Sequence, residues 1–172
     1  MKLLAIVTLF LGGTVLFTAA SPGQHGATPG HQGARGALAD IGEAGEPIFA
    51  LSGLAPGRAA RGSIDVSNAG DDRGHFTLVA ADLVESPASP GLSAKLHLVV
   101  EDLGHSDSPS PPVVKYRGKL AAMRTISLGT FQPSDQRRYR FTATFPRGTP
   151  DVDNQFQGAR SVVRYSFNAR TR

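Results

Sequence analysis

The side chains that could do chemistry here are few and scattered. Five histidines and no cysteine are present, so a thiol nucleophile is excluded. A zinc peptidase wants two His four apart on a helix with a Glu between, so that both imidazoles face the metal and the carboxylate activates its water; that spacing does not occur. His25 and His31 stand in a Gly- and Pro-rich stretch with nothing to orient them, while His75, His97 and His105 fall at a strand start, on an outward strand face and in a polar loop. The run His105-Ser106-Asp107-Ser108 holds the residue types of a nucleophilic relay, but nucleophile, base and orienting carboxylate must converge from separate elements. It reads as a Ser/Pro surface loop.

Asp151-Val152-Asp153-Asn154 could offer oxygens on alternate residues to calcium, yet it lacks the Asp-x-Asp-x-Asp-Gly pattern and the distal Glu of a strong site. Asp and Asn also form turns without any metal, and that is the reading adopted. Arg138 and Arg140 share one strand face that could attract anions, or could simply be a solvated face that discourages edge pairing. There is no Gly-x-Ser-x-Gly elbow and no Gly-rich phosphate loop. No catalytic, cofactor-binding or metal residue is therefore assigned, and no cofactor is expected; calcium and zinc are the ions for which the sequence offers candidate ligands.

The elements that would have to position any site are short strands. From Pro47 onward, residues alternate in segments bounded by turn signals. "PIFALSGL" leads to the Pro56-Gly57 turn, and "RGSIDVSNAG" sets Ile64 and Val66 inward before the Asn68 to Asp72 turn. "GHFTLVAADLV" places Phe76, Leu78 and Ala80 on one face, and "LSAKLHLVVED" does the same for Leu96, Leu98 and Val100. "HSDSPSPP" is a loop, "VVKYRGKLAAM" holds a short strand and one helical turn, and "TISLGTF" is another strand. In Gln136 to Phe145, Tyr139, Phe141, Ala143 and Phe145 share one face; Val163, Tyr165 and Phe167 repeat the device near the end. Seven or eight short strands with hardly any helix predict an all-β, antiparallel β-sandwich. The expected core is Ile64, Val66, Phe76, Leu78, Leu96, Leu98, Tyr139, Phe141, Phe145, Val163, Tyr165 and Phe167.

Residues 1–20 read as a secretory signal peptide: Lys2 supplies the positive region, Leu3 to Phe17 the apolar run, and Thr18-Ala19-Ala20 the small residues before cleavage. Residues 21–45 are a flexible Gly/Pro/Ala-rich linker, and 46–172 form the sandwich. Without Lys2 the balance is 17 basic against 14 acidic residues, with no block of like charges, so a dedicated nucleic-acid arm is not expected. An exported domain without disulfides must hold itself by packing, and this one is long enough to do so. The expected location is secreted, at the cell surface or in the matrix, with no membrane attachment after cleavage.

Two segments resemble the TasA/camelysin family of exported surface and biofilm matrix proteins. "FALSGLAPGRAARGSIDVSNAGD" is similar to the family's opening, with Leu54, Pro56 and Gly57 in its first turn and Asn68 and Gly70 in its second. "NQFQGARSVVRYSFNART" is similar to its closing segment, an Asn-x-aromatic-Gln-Gly loop made here of Asn154, Phe156, Gln157 and Gly158 before a strand carrying Phe167. "GGTVLFTAA" looks like a loose version of the processing region of signal-peptidase-W substrates. The resemblance implies a jelly-roll or immunoglobulin-like sandwich that self-associates or joins other matrix proteins, with fibres forming when the N-terminal segment of one subunit completes the sheet of the next. The Gly- and Pro-rich segment after the cleavage point departs from that pattern, and Ala37 to Ile41 is its best donor candidate. Camelysins are described as metallo-endopeptidases, which makes a secreted metallo-endopeptidase the alternative function; a generic adhesin or spacer sandwich is a third.

Overall fold

The computed structural model describes residues 6–11, 39–40, 47–52, 54–105 and 107–171. Among the described residues ten strands form in chain order: β1 (Ile6–Leu11), β2 (Ala39–Asp40), β3 (Pro47–Ser52), β4 (Ala59–Asn68), β5 (Gly74–Ser86), β6 (His97–His105), β7 (Pro109–Lys119), β8 (Thr125–Phe131), β9 (Gln136–Thr144) and β10 (Arg160–Thr171). Two short helices, α1 (Leu92–Lys95) and α2 (Pro150–Asn154), and a 3-10 turn at Leu120–Ala122 connect them. One five-stranded sheet has the order β3-β1-β10-β5-β8 and the other β2-β4-β9-β6-β7. Among the described residues all pairings are antiparallel except β1 with β10. The chain is an all-β sandwich, as the alternation of its sequence predicts.

Period-2 patterning explains why the sheets face each other. On β9, Tyr139, Phe141 and Ala143 are buried while Arg138 is exposed and Arg140 half-buried; on β10, Ser161, Val163, Tyr165 and Phe167 are buried in the same rhythm. The two inner faces meet where the Phe141 and Tyr165 rings lie 5.8 Å apart, and Phe76 stacks on Phe131 at 4.5 Å. Each fully buried aromatic of this kind contributes about 1.5–3 kcal/mol of transfer free energy. Every expected core residue is buried except Ile64, which is half-buried and packs on the core's margin.

Three local expectations are corrected. Leu92 to Lys95 is a helical turn rather than the start of a strand, because Glu85 of β5 accepts from the Ser93 N–H (2.6 Å) and hydroxyl (2.9 Å) and pins the turn's start. The Pro-rich loop is shorter than expected, since Pro109 to Pro112 already belong to β7; this is an edge strand, where prolines without N–H groups cost no ladder bond. Asp151 to Asn154 lie in α2 rather than in an open turn, with Pro150 at the position where a missing N–H is harmless.

Candidate functional site

The closing strand β10 has both its edges occupied. On one side it pairs with β5 along its whole length, and on the other β1 runs parallel to its first half, from Ile6 beside Arg160 to Leu11 beside Tyr165. β1 in turn pairs antiparallel with β3, from Ile6 opposite Ser52 to Phe10 opposite Pro47. Thus six residues sit in a seat between β10 and β3, and they join two strands that are not otherwise paired with each other among the described residues. The chemistry of such a seat is that of the peptide group: donors and acceptors on facing edges accept any extended segment, with side-chain fit added by alternate positions.

Those six residues lie inside the apolar run Leu3 to Phe17. The same composition suits a leader's apolar region and a buried strand, since a short apolar run without polar alternation has no single conformational preference. The other N-terminal strand, β2, falls within the Ala37 to Ile41 stretch and pairs with β4 of the opposite sheet, Ala39 beside Asn68 and Asp40 beside Ser67. His25, His31 and most of residues 12–46 lie outside the described residues.

The motif residues fall at strand ends and turns of both sheets. Leu54 is buried just after β3, and the Pro56-Gly57 turn is clamped to the end of β9: the Gly57 N–H donates to the Phe145 carbonyl at 2.6 Å and the Phe145 N–H to the Arg58 carbonyl at 2.9 Å. Gly57 has φ +81°, a left-handed conformation that glycine adopts without a Cβ penalty. Asn68 is buried at the end of β4, where its Nδ2 donates to the carbonyls of Asp72 (2.8 Å), Gln132 (3.1 Å) and Phe131 (3.4 Å) and its Oδ1 accepts from the buried Gly70 N–H (3.1 Å). It ties the β4–β5 loop to the β8–β9 turn.

At the other end, Asn154 to Gly158 delivers the chain to the start of β10. Phe156 is buried edge-on against Phe145 at 5.9 Å, and Gly158 at φ +72° makes the reversal before buried Ala159. Asn154 and Gln157 are exposed, linked by a backbone bond of 3.1 Å. Asp153 does not face an open cation position: its carboxylate accepts from the Gly148 N–H at 3.0 and 3.1 Å and lies 3.4 Å from the Lys95 ammonium. Phe167, in the second half of β10, is core.

The remaining candidates are separated. His75 on β5 contacts the Ser127 hydroxyl of β8 at 3.1 Å, whereas His97 and His105 are exposed at opposite ends of β6. Ser106 lies outside the described residues, and the Ser108 N–H donates to the His105 carbonyl at 3.2 Å, which is loop geometry. Among the described residues no three His, Asp or Glu side chains gather into a metal-holding group. Arg138 and Arg140 are neither free anion sites nor merely solvated. Arg138 forms a forked pair with Asp65 across β4 (2.8 and 2.7 Å), and Arg140 meets Glu101 across β6 (2.9 Å).

A buried charge cluster was missed in the sequence. Asp102 is buried with Lys115 at 3.3 Å, Arg137 at 3.5 Å and the Gly104 N–H at 2.9 Å, while Arg137 also lies over the Phe131 ring at 5.0 Å. The signal was available, because Asp102 stands in phase with the inward Leu98 and Val100. Nearby, burial first and the Asp102 charge second push the Tyr139 phenol far above its ordinary range, and its hydroxyl donates to the Leu128 carbonyl at 3.2 Å, a bond that only the protonated form makes. Burial likewise pushes Tyr165 up, and its hydroxyl, like that of Ser161, is buried without a hydrogen-bond partner among the described residues.

Fold and strand pairing together define an antiparallel β-sandwich with a strand seat at the β10 edge. The chain matches no family model and no curated protein. Among the described residues no helix is long and apolar enough to cross a membrane.

Proposed function

We propose that the protein is an exported structural component of a bacterial cell surface or extracellular matrix, a sandwich whose subunits join by strand complementation at the seat between β3 and β10. One observation carries the reading: the strand filling the seat, Ile6–Leu11, lies in the segment read as the cleaved leader. Its loss on export uncovers one edge of Arg160–Tyr165 and one edge of Pro47–Ser52, and such edges bind extended segments through main-chain hydrogen bonds. The partner is a second copy, or another matrix protein, supplying a strand from its N-terminal segment. The resemblance of the opening and closing motifs to the TasA/camelysin family supports the same reading.

Electron microscopy of the purified mature chain tests it. Fibres are expected, and their growth should stop when residues 21–45 are deleted. Persistent monomers at high concentration would sink the proposal.

A further inference from the structure

We infer that the uncut leader is a plug: while Ile6–Leu11 remains attached it holds the seat in cis, so that cleavage, and not export alone, licenses assembly. This rests on the strand-complementation reading and assigns its regulation. The register fills the seat, because β1 covers Arg160 to Tyr165 on one side and reaches both ends of β3, Ser52 and Pro47, on the other, with one bulge at Ile48. A strand from a second copy has no edge to approach there.

Covalent attachment decides the competition. A tethered strand acts at an effective concentration of order millimolar, so a free strand at micromolar concentration is disfavoured by roughly a thousandfold even at equal intrinsic affinity. Cutting after Ala20 alters none of the β1 pairings directly, yet it turns them into contacts between two molecules. The advantage then disappears, and the short peptide is free to leave.

The seat also fits its first occupant imperfectly. Ser161 is fully buried and its hydroxyl has no hydrogen-bond partner among the described residues, and the register position beside it on β1 is Val7, a residue type with no hydrogen-bonding group. An unpaired buried hydroxyl is unfavourable, so a strand bearing a polar residue at that position gains over the leader. That difference suits an occupant meant to be replaced.

The experiment uses the full chain with a specific protease site placed after Ala20, followed by light scattering and amide exchange before and after cutting. The uncut chain is expected to stay monomeric at concentrations where the cut chain assembles. Those amides of Arg160–Tyr165 that do not bond to β5 should lose protection at least about tenfold in the freshly cut monomer, because edge amides exchange without opening a ladder. Uncut Leu9→Pro, which removes a ladder donor, should assemble without cutting. Should that variant fail to fold, a peptide of residues 6–11 with added terminal lysines provides a second measurement, since it should suppress assembly of the cut chain. Equal assembly of cut and uncut chains would overturn the plug. So would unchanged protection on cutting. Loss of protection with no assembly would leave the plug standing and count against strand complementation instead.

Discussion

Replacing Asn68 with alanine removes the hub that joins the β4–β5 loop to the β8–β9 turn. Three of its side-chain bonds, at 2.8, 3.1 and 3.1 Å, have good lengths, and another at 3.4 Å is marginal. Counting the three at about 0.5–1.5 kcal/mol each gives a loss centred on about 3 kcal/mol. Urea unfolding at low protein concentration measures it, and the slope against denaturant should stay unchanged if only the native state is affected. Asn68→Asp sharpens the test, since it keeps the acceptor for Gly70 but points a carboxylate at two or three carbonyls. Its folded-state pKa should lie above the unfolded value, so the native state binds the extra proton. The stability deficit is then smallest below about pH 4 and grows as pH rises through the folded pKa. An Asn68→Ala variant within about 0.5 kcal/mol of the parent, the range of ordinary surface changes, would refute the hub.

Three further outcomes are expected. The chain has three tyrosines and no tryptophan, so phenolate absorbance is easily read; Tyr139 and Tyr165 should stay protonated in the native state well after an exposed phenol ionises. Because their folded pKa values are raised, stability is intact below about pH 10 and falls as pH climbs above it, and a native titration in which all three ionise together near pH 10 would contradict this. Gly57→Ala and Gly158→Ala should each lose about 1 kcal/mol from left-handed backbone strain. The two losses should be similar, since the new Cβ at Gly57 meets the Arg147 side chain at 3.4 Å, ordinary contact, and at Gly158 meets nothing within 4 Å, which leaves the backbone as the common cost; chemical denaturation of the pair reads it. Asp153→Asn should unfold at higher denaturant than Asp153→Ala, because the amide still accepts from the Gly148 N–H after the Lys95 pair is gone.

Much of the sandwich was legible because alternation is a local property. Tyr139, Phe141 and Phe145, or Val163, Tyr165 and Phe167, declare their shared face without knowledge of any partner, and the turn residues Gly57 and Gly158 declare chain reversals through their own backbone freedom. Where the pattern misled, a distant group had intervened. Ser93 became helical because Glu85 reached its N–H, and Pro109 to Pro112 joined a strand because β7 lies at an edge. Asp102 was in phase with the core, yet its burial depends on Lys115 and Arg137 arriving from two neighbouring strands.

By itself, the sequence determined which residues face inward, where the chain turns, and that an apolar N-terminal run precedes a Gly- and Pro-rich stretch and an all-β domain. Only the tertiary structure decided strand order, the pairing of Arg138 and Arg140 with Asp65 and Glu101, and the seat of Ile6–Leu11 between β10 and β3. The reason is physical: side-chain period is fixed within a few residues, whereas strand partners are chosen by the complementarity of edges far apart in the chain. A peptide edge also carries no mark, in any one residue, of which segment will fill it.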